Sequence, residues 1–134
     1  MKILITGING YIGSQLKKYF LEKKYKIYGI SSKSKKSDYN KLIKKKIKPN
    51  AIIHCAGSGL VAINKYSHKI HKNKNYGSTK ELLNFIKKSN LKNSKIIFLS
   101  SQAVYGKVST SKISERNYVA PISSYGKTKL LAEK

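Results

Sequence analysis

The chain has 134 residues, with 29 lysines and arginines against 5 acidic residues and a formal net charge of +24. This length supports one domain with a modest hydrophobic core. A single cysteine, Cys55, excludes an internal disulfide framework and a multi-cysteine zinc site. No run approaches the roughly 18 apolar residues of a transmembrane helix, and the apolar start MKILITG is too short for a signal peptide. We therefore expect a globular protein of the reducing cytoplasm without a membrane partner.

The excess of positive charge has two explanations. Proteins that bind nucleic acid are often this basic, but only Arg116 among the 29 basic residues is an arginine, the side chain that reads guanine edges. The lysines are spread along the chain, and an abundance of Lys, Asn and Ile is typical of A+T-rich coding. We favour a solvated lysine-rich surface over a specific nucleic-acid site. Weak, salt-sensitive binding to polyanions follows from either explanation.

Apolar runs and helical spacings alternate along the chain. The pattern predicts strands at 2–6, 26–30, 51–55 and 95–100. It predicts four helices: one after the glycines near Ile12, one at 41–48 before Pro49, one at 75–88 and one from Ser123 onward. The predicted helix at 75–88 carries Leu82, Leu83 and Ile86 on one face, and residues 31–37 are predicted to form a polar loop. This alternation predicts right-handed βαβ units and a doubly wound α/β fold with a parallel sheet. The last helix shows no stop signal before Lys134, which indicates either that the chain was cut or that the sequence is part of a longer protein.

A glycine-rich turn follows the first strand. Gly7, Gly10 and Gly13 recur every three residues in TGINGYIG. The first lets the strand turn sharply, the second lets backbone approach a pyrophosphate, and the third lets the helix pack closely on the sheet. A strand before and a helix after such glycines favour a dinucleotide-binding turn over an ordinary tight turn. The spacing resembles the T-G-x-x-G-x-x-G of the extended short-chain dehydrogenase/reductase family, which includes the NAD-dependent epimerases, dehydratases and reductases of nucleotide sugars.

The end of the second strand bears on the choice of cofactor. NAD-preferring Rossmann domains carry an acidic residue there, which bonds the ribose 2′-hydroxyl, whereas this chain has Ser31, Ser32 and Lys33. Hydroxyls and a lysine suit the 2′-phosphate of NADP, and a simply polar loop is the alternative. We predict NADP or NAD as cofactor, with NADP mildly favoured. By the resemblance, Asp38 matches the aspartate that bonds the adenine in this family.

A tyrosine and a lysine four residues apart are the strongest chemical signal. Tyr125 and Lys129 fall on one face of the last predicted helix. Tyrosine is a poor general base at neutral pH, but a nearby ammonium group favours the phenolate. The pair can therefore move a proton to or from a sugar hydroxyl or ketone. In a chain this rich in lysine the spacing also arises by chance, so the assignment depends on the surrounding motifs.

Those motifs resemble the same family. Residues 98–106 (FLSSQAVYG) resemble its S-S-x-x-V-Y-G segment, and residues 125–129 (YGKTK) resemble the start of its catalytic helix. The resemblance implies that Ser101 is the catalytic hydroxyl that bonds the reacting oxygen and that Tyr125 transfers the proton. It also implies that Lys129 bonds the nicotinamide ribose.

Two further segments follow in the family's order. HCAG at 54–57 resembles H-x-A-G, whose backbone lies along the cofactor, and NYGST at 75–79 resembles N-V-x-G-T at a helix start. These matches imply cofactor contacts for Ala56 and Gly57. They also imply that Asn75 orders the active-site helix or a water, although a helix N-cap explains Asn75 nearly as well.

The histidines and the cysteine are assigned to packing or to the surface. We expect His54 to be a packed strand histidine and Cys55 to be a small buried hydrophobic side chain. His68 and His71 lie three apart among lysines, without a nearby carboxylate or thiol. We therefore expect them on the surface and predict no metal site.

Over residues 2–134 the resemblance implies one NAD(P)-binding domain of the Rossmann type, apparently truncated before the last strands and the C-terminal substrate lobe. The catalytic residues it implies are Ser101, Tyr125 and Lys129. The cofactor-binding residues are Gly7, Asn9, Gly10, Tyr11, Ile12, Gly13, Ser31, Ser32, Lys33, Asp38, Ala56, Gly57, Asn75, Tyr125 and Lys129.

The implied activity is that of an epimerase or 4-keto reductase acting on a nucleoside-diphosphate sugar. Gln102 and Ala103 stand where dehydratases of the family carry an acidic pair, which disfavours a dehydratase. The resemblance also implies a homodimer in the full-length form. A non-catalytic Rossmann module that binds a dinucleotide is the alternative. We expect these 134 residues alone to bind cofactor weakly and to turn over little substrate.

Overall fold

The computed structural model describes residues 1–58, 67–107 and 112–134. Its strands are β1 (Lys2–Thr6), β2 (Lys26–Ile30), β3 (Ala51–His54) and β4 (Lys95–Phe98). Its helices are α1 (Tyr11–Glu22), α2 (Lys35–Lys44), α3 (Ser67–His71), α4 (Ser78–Lys88) and α5 (Ser124–Glu133). A π-helical turn, Lys72–Gly77, joins α3 to α4, and a 3₁₀ turn, Gln102–Val104, follows β4. Every predicted site residue lies within the described ranges.

The four strands form one parallel sheet in the order β2-β1-β3-β4. β1 pairs with β2 on one side and with β3 on the other, so Leu4 lies between Tyr28 and Ile52. The strand order reverses at β1, and open parallel sheets form their ligand crevices at the carboxyl ends of strands at such a reversal. The predicted parallel α/β sheet is confirmed. β3 and β4 end one and two residues earlier than predicted.

The described chain divides into two compact units, and the first comprises Met1–Ala56 and Thr79–Leu99. Alternate residues of β1 enter opposite sides of its core, as the period of two in a strand requires. Leu4 packs with Phe85 of α4 on one face of the sheet, and Ile3 and Ile5 pack with Phe20 of α1 on the other. Full burial of each large aliphatic side chain stabilises the fold by about 1.5–3 kcal/mol, so this unit rests on apolar packing.

Two helices of the first unit differ from the prediction. The helix expected at 41–48 is α2, which starts at Lys35 and so includes half of the predicted polar loop. Its first turns carry polar side chains on the exposed side, so the hydrophobic period did not reveal them. On α4, Leu82 is buried, but Leu83 is 52% exposed and Phe85 is in the core. Positions i and i+3 share a helix face, whereas i+1 does not.

The second unit comprises Gly57–Ser78 and Ser100–Lys134. It contains α3, the π-helical turn, the 3₁₀ turn and α5. Within its described part, Val104 is the one large apolar side chain that is fully buried, whereas six polar or charged residues are buried. Those six are Ser58, His71, Asn75, Ser78, Thr128 and Lys129.

The helices of the second unit start where local signals place them. The Ser123 hydroxyl caps α5 by accepting a hydrogen bond from the Gly126 backbone N–H at 3.0 Å. The prediction of a helix from about Ser123 is therefore confirmed. The helix predicted at 75–88 is longer, because helical backbone already begins at Ser67 and passes through the π-helical turn.

No helix in the described part of the chain combines the length and the apolar character needed to cross a bilayer.

Candidate functional site

In the glycine turn after β1, backbone segments pack directly against one another. Gly7 has a positive φ of 69°, a conformation that residues with a Cβ rarely adopt. A Cβ on Gly13 would lie 2.2 Å from the Gly7 carbonyl oxygen, so only glycine lets α1 start this close to the turn. The backbone N–H of Gly10 donates to the same carbonyl at 2.8 Å. The predicted roles of the first and third glycines, a sharp turn and close helix packing, match this geometry.

The start of α1 is open to an anion. Gly10 is its N-cap and supplies no side-chain acceptor, and the first turn carries no acidic residue. The helix dipole and the first N–H groups therefore keep their positive ends uncompensated. Tyr11 is 87% exposed and Ile12 50% exposed, so neither side chain is packed into the core. This combination of glycines and free N–H groups fits the pyrophosphate of a dinucleotide.

The end of β2 differs from what its sequence indicates. The Asp38 carboxylate accepts a hydrogen bond from the Ser31 backbone N–H at 3.1 Å and one from the Ser34 hydroxyl at 2.7 Å. Ser31 and Ser34 also share a hydrogen bond at 2.8 Å. Asp38 is therefore a helix residue whose carboxylate folds back to the strand end, where the sequence shows only Ser31, Ser32 and Lys33. The negative charge there opposes the NADP preference predicted from those three residues.

His54 at the end of β3 is a structural residue, as predicted. It is 1% exposed, and its ring nitrogens lie 2.5 Å from the Thr6 hydroxyl and 3.0 Å from the Thr79 hydroxyl. The Thr6 hydroxyl also accepts from the Ala56 backbone N–H at 3.2 Å. This network ties β1 to the segment after β3. Cys55, expected to be buried, is only half-buried.

In the second unit, α5 carries Tyr125 and Lys129 on one face. Lys129 is 6% exposed, and Tyr125 is half-buried. A Cβ on Gly126 would lie 2.3 Å from the Ala103 carbonyl oxygen, so glycine is required where α5 meets the 3₁₀ turn. This close approach brings the segment that starts with Ser101 to the first turn of α5. The three predicted catalytic residues thus lie in the same compact unit.

Ser101 caps the 3₁₀ turn. Its hydroxyl oxygen accepts a hydrogen bond from the Ala103 backbone N–H at 3.2 Å. A hydroxyl has one donor and two acceptor sites, so this bond leaves the Ser101 proton for another oxygen. The neighbouring Ser100 instead donates its proton to the Glu133 carboxylate at the end of α5.

Asn75 links three segments of the second unit. It is 1% exposed, its side-chain oxygen accepts from the Ser58 backbone N–H at 2.8 Å, and its amide donates to the Thr128 hydroxyl at 3.0 Å. A Cβ on Gly57 would lie 2.8 Å from the Asn75 side-chain oxygen and 3.7 Å from the Lys129 ammonium nitrogen. Asn75 is a buried side chain inside the π-helical turn and not an N-cap.

The prediction that His71 lies on the surface is wrong. His71 is 3% exposed, and its ring packs against the Tyr125 ring with centroids 5.9 Å apart. Sequence reasoning treated it as one of a pair of exposed histidines because lysines flank it. A helical spacing could have indicated that His71 is buried, because its position continues the row of buried residues on α4 toward the N-terminus. This spacing runs through His71, Asn75, Ser78, Leu82 and Phe85.

The cluster on α5 brings together a phenol, an amino group and a neighbouring segment that carries a hydroxyl. Among the described residues, no three His, Cys, Asp or Glu side chains are placed to hold a metal ion. A phenol, a buried ammonium and a hydroxyl are groups that donate or accept protons and stabilise a charged oxygen.

Three solved structures with a similar fold are two nucleotide-sugar 4-epimerases and a dTDP-4-dehydrorhamnose reductase. A UDP-glucose 4-epimerase from Brucella ovis in complex with NAD aligns with a TM-score of 0.83 and 29% identity, over 98% of this chain and 45% of that one. The UDP-Glc/GlcNAc 4-epimerase of Campylobacter jejuni aligns with a TM-score of 0.81 and 28% identity, over 98% and 46%. A dTDP-4-dehydrorhamnose reductase from Clostridium acetobutylicum aligns with a TM-score of 0.81 and 29% identity, over 99% and 48%.

This chain spans about half the length of those three proteins. The model of the NAD dependent epimerase/dehydratase family matches residues 3–134. A match over nearly every residue, with the glycine turn and the Tyr125 cluster both inside it, agrees with the resemblance found in the sequence. The chain belongs to the NAD dependent epimerase/dehydratase family.

Proposed function

We propose that this chain is the cofactor-binding and proton-transferring part of an NAD(P)-dependent nucleoside-diphosphate-sugar epimerase or 4-keto reductase. The observation that carries the proposal is the cluster on α5, where Tyr125 shares a helix face with the buried Lys129 and where Gly126 meets the segment of Ser101. Relatives at 28% and 29% identity include both 4-epimerases and a reductase, which supports this pair of reaction types.

Each of the three side chains has a distinct role. The Tyr125 hydroxyl takes the proton of a sugar hydroxyl when it is oxidised and returns it to the oxygen when a ketone is reduced. The Lys129 side chain, 6% exposed and on the same face of α5 as Tyr125, bonds the ribose of the bound nicotinamide. The Ser101 hydroxyl donates to the reacting oxygen and holds it in place. A bound nicotinamide would supply or accept the hydride at the carbon that bears this oxygen.

The glycine turn supports a dinucleotide as the cofactor. Gly7, Gly10 and Gly13 leave room for a pyrophosphate, and the N-terminal N–H groups of α1 would bond it. Lys33 is exposed beside the strand end and suits a 2′-phosphate, whereas the Asp38 carboxylate repels one and suits a free 2′-hydroxyl. The proposal therefore covers NAD and NADP.

The absence of an acidic pair after Ser101 supports an epimerase or a reductase over a dehydratase. Gln102 and Ala103 form the 3₁₀ turn there, and neither side chain can act as a general acid or base. The substrate proposed is a nucleoside-diphosphate sugar with a hydroxyl or keto group at C4.

The test uses the natural gene product that contains this chain. We expect it to bind NAD or NADP and to interconvert UDP-glucose and UDP-galactose, or to reduce a dTDP-4-keto sugar. We expect Tyr125→Phe to abolish turnover while the dissociation constant of the cofactor changes little. Tyr118→Phe is the matched control, because Tyr118 is 88% exposed. Tight dinucleotide binding with no turnover of either substrate class would favour a non-catalytic module, and full turnover in Tyr125→Phe would refute the proposed roles.

A further inference from the structure

His71 is a buried titratable side chain that the proposed reaction does not use. It ends α3 and is 3% exposed. Its ring meets the Tyr125 ring at an interplanar angle of 64°, with centroids 5.9 Å apart. This is the edge-to-face arrangement that aromatic rings prefer, since the positive edge of one ring faces the negative face of the other.

The Nδ1 atom of His71 is buried and has no hydrogen-bond partner among the described residues. A buried polar atom without a partner destabilises a fold, and each such atom in a native protein calls for an explanation. Nothing in its hydrogen bonding explains why this position holds a histidine ring. The Tyr125 contact is the interaction of His71 that the structure does show.

The backbone around Tyr125 is already fixed without His71. The Ser123 cap, the contact of Gly126 with Ala103 and the hydrogen bond of Thr128 to Asn75 hold the first turns of α5. These contacts do not restrict rotation of the Tyr125 side chain about its Cα–Cβ bond. That rotation decides where the Tyr125 hydroxyl lies.

His71 is well placed to restrict that rotation. It lies four residues before Asn75 on the same continuous helical segment, so both side chains fall on one face. The helical segment therefore contacts α5 at two points. Asn75 bonds the Thr128 hydroxyl, and His71 packs against the Tyr125 ring.

We propose that His71 is a positioning residue for Tyr125, which fixes the tyrosine ring by edge-to-face contact so that its hydroxyl points to the reacting oxygen. The catalytic meaning of this contact rests on the proposed function, but the contact itself does not. A displacement of about 1 Å at a reacting group can lower a rate about a hundredfold, so restriction of this ring affects turnover directly.

The test compares two apolar replacements that fill the same buried space. His71→Phe keeps an aromatic ring and removes the unpartnered nitrogen, whereas His71→Leu removes the ring. His68→Leu is the matched control, because His68 lies exposed on the same helix. Both His71 variants fill the site, so a purely space-filling role predicts the same behaviour for them.

Nuclear magnetic resonance of the protein labelled with ¹³C in its tyrosine rings reads out the contact without any need for activity. The Tyr125 signal is assigned by its loss in Tyr125→Phe. We expect the Tyr125 ring signals to shift in His71→Leu, because the ring loses the contact that fixes its position, and to stay close to the wild-type positions in His71→Phe and His68→Leu. Unchanged Tyr125 signals in a folded His71→Leu protein would overturn the proposal.

Turnover separates this proposal from the function it rests on. We expect kcat to fall about tenfold to a hundredfold in His71→Leu, with the cofactor dissociation constant unchanged, and to stay within a few-fold of wild type in His71→Phe. If His71→Phe loses as much as His71→Leu while both melt cooperatively, ring packing is not the role. If Tyr125→Phe is fully active, the proposed function fails, while the ring signals still decide whether His71 orients Tyr125.

Discussion

The two compact units of this protein are held together by different kinds of side chain. In the first, Ile3, Leu4 and Ile5 of the central strand are nearly inaccessible and pack between helices on both faces of the sheet. In the second, the buried side chains of the described residues are mostly polar, and Asn75 connects three segments through hydrogen bonds.

This difference explains what each unit can do. Apolar packing is non-directional and tolerant, so it suits a rigid sheet that presents backbone N–H groups after β1. Hydrogen bonds in a buried site are directional, so the bonds of Asn75 to Ser58 and Thr128 hold three segments of the second unit in one arrangement. In the proposed function, the first unit binds the pyrophosphate of the dinucleotide and the second carries the proton-transferring groups.

The largest expected effect lies in the second unit. Lys129→Met removes the buried amino group that lies on the same face of α5 as Tyr125, and under the proposed function we expect kcat of the natural gene product to fall at least about a hundredfold. Lys127→Met is the control, since Lys127 is exposed on the same helix, and it should keep wild-type kcat. Steady-state kinetics of the two variants measures the difference, and equal rates would show that the buried position of Lys129 has no chemical role.

The glycine turn should be the most sensitive point of the first unit. Gly13→Ala places a Cβ 2.2 Å from the Gly7 carbonyl oxygen, and such overpacking costs about 1–3 kcal/mol. We expect a lower urea midpoint and a clear loss of dinucleotide affinity. Gly77→Ala is the control, because its Cβ would meet nothing closer than 3.7 Å, and it should leave the urea midpoint and the cofactor dissociation constant near wild type. A Gly13→Ala protein with both values unchanged would contradict the close packing of α1.

Removal of Asn75 tests the polar network directly. Asn75→Leu leaves the buried Ser58 N–H without its partner, which costs about 1–3 kcal/mol, whereas Ile52→Val in the first unit costs about 0.5–1.5 kcal/mol. Hydrogen exchange should show faster exchange confined to the second unit in Asn75→Leu. Asn73→Leu, at an exposed position of the same turn, should leave exchange unchanged. Equal acceleration of exchange in both units would contradict the claim that the Asn75 hydrogen bonds stabilise the second unit alone.

Asp38 offers a smaller and more specific test in the first unit. Its carboxylate lies at the end of β2, held by Ser31 and Ser34. Asp38→Asn removes one negative charge, worth about 1 kcal/mol against a nearby phosphate in a solvated site. We expect the ratio of NADPH to NADH affinity to rise about fivefold, as measured by titration of the reduced cofactors. An unchanged ratio would mean that the carboxylate does not face the ribose 2′ position.

The smallest effect concerns the pH dependence of stability. Burial, and to a lesser degree the negative charge of Glu81, raises the pKa of the Tyr39 hydroxyl above its ordinary value. The neutral phenol therefore contributes stability that is fully present below about pH 10. That stability is lost as the pH rises toward the higher folded-state value. Tyr39→Phe should lose less stability than wild type between about pH 9 and 11, as measured by urea midpoints. Parallel loss in both proteins would contradict this prediction.

The parts of the fold that follow from hydrophobic periodicity could be predicted from the sequence. Apolar runs such as KILIT and AIIHC predict the four strands. The helices between them predict that the strands run parallel. The turn of Gly7, Gly10 and Gly13 could be predicted because a small residue is required wherever backbones approach this closely.

The remaining features depend on contacts between distant residues. Asn75 meets partners 17 and 53 residues away, and His71 meets a ring on α5, so the contacts that bury them come from distant parts of the chain. Asp38 reaches the end of β2 only because α2 begins earlier than the hydrophobic pattern indicates. His71 and Asn75 do continue the helical spacing of α4, but polar side chains at that spacing indicate a buried face only once their distant partners are known.

The most direct test of the central claim is a single-turnover measurement on the natural gene product loaded with NAD or NADPH. A nucleoside-diphosphate sugar, with a C4 hydroxyl or a C4 ketone respectively, is mixed in while the absorbance of the reduced nicotinamide is followed. We predict a substrate-dependent change in wild type and in Tyr118→Phe, and none on the same timescale in Tyr125→Phe, with cofactor bound in all three. Equal changes in Tyr125→Phe and wild type would contradict the account, as would no change in wild type with the cofactor bound.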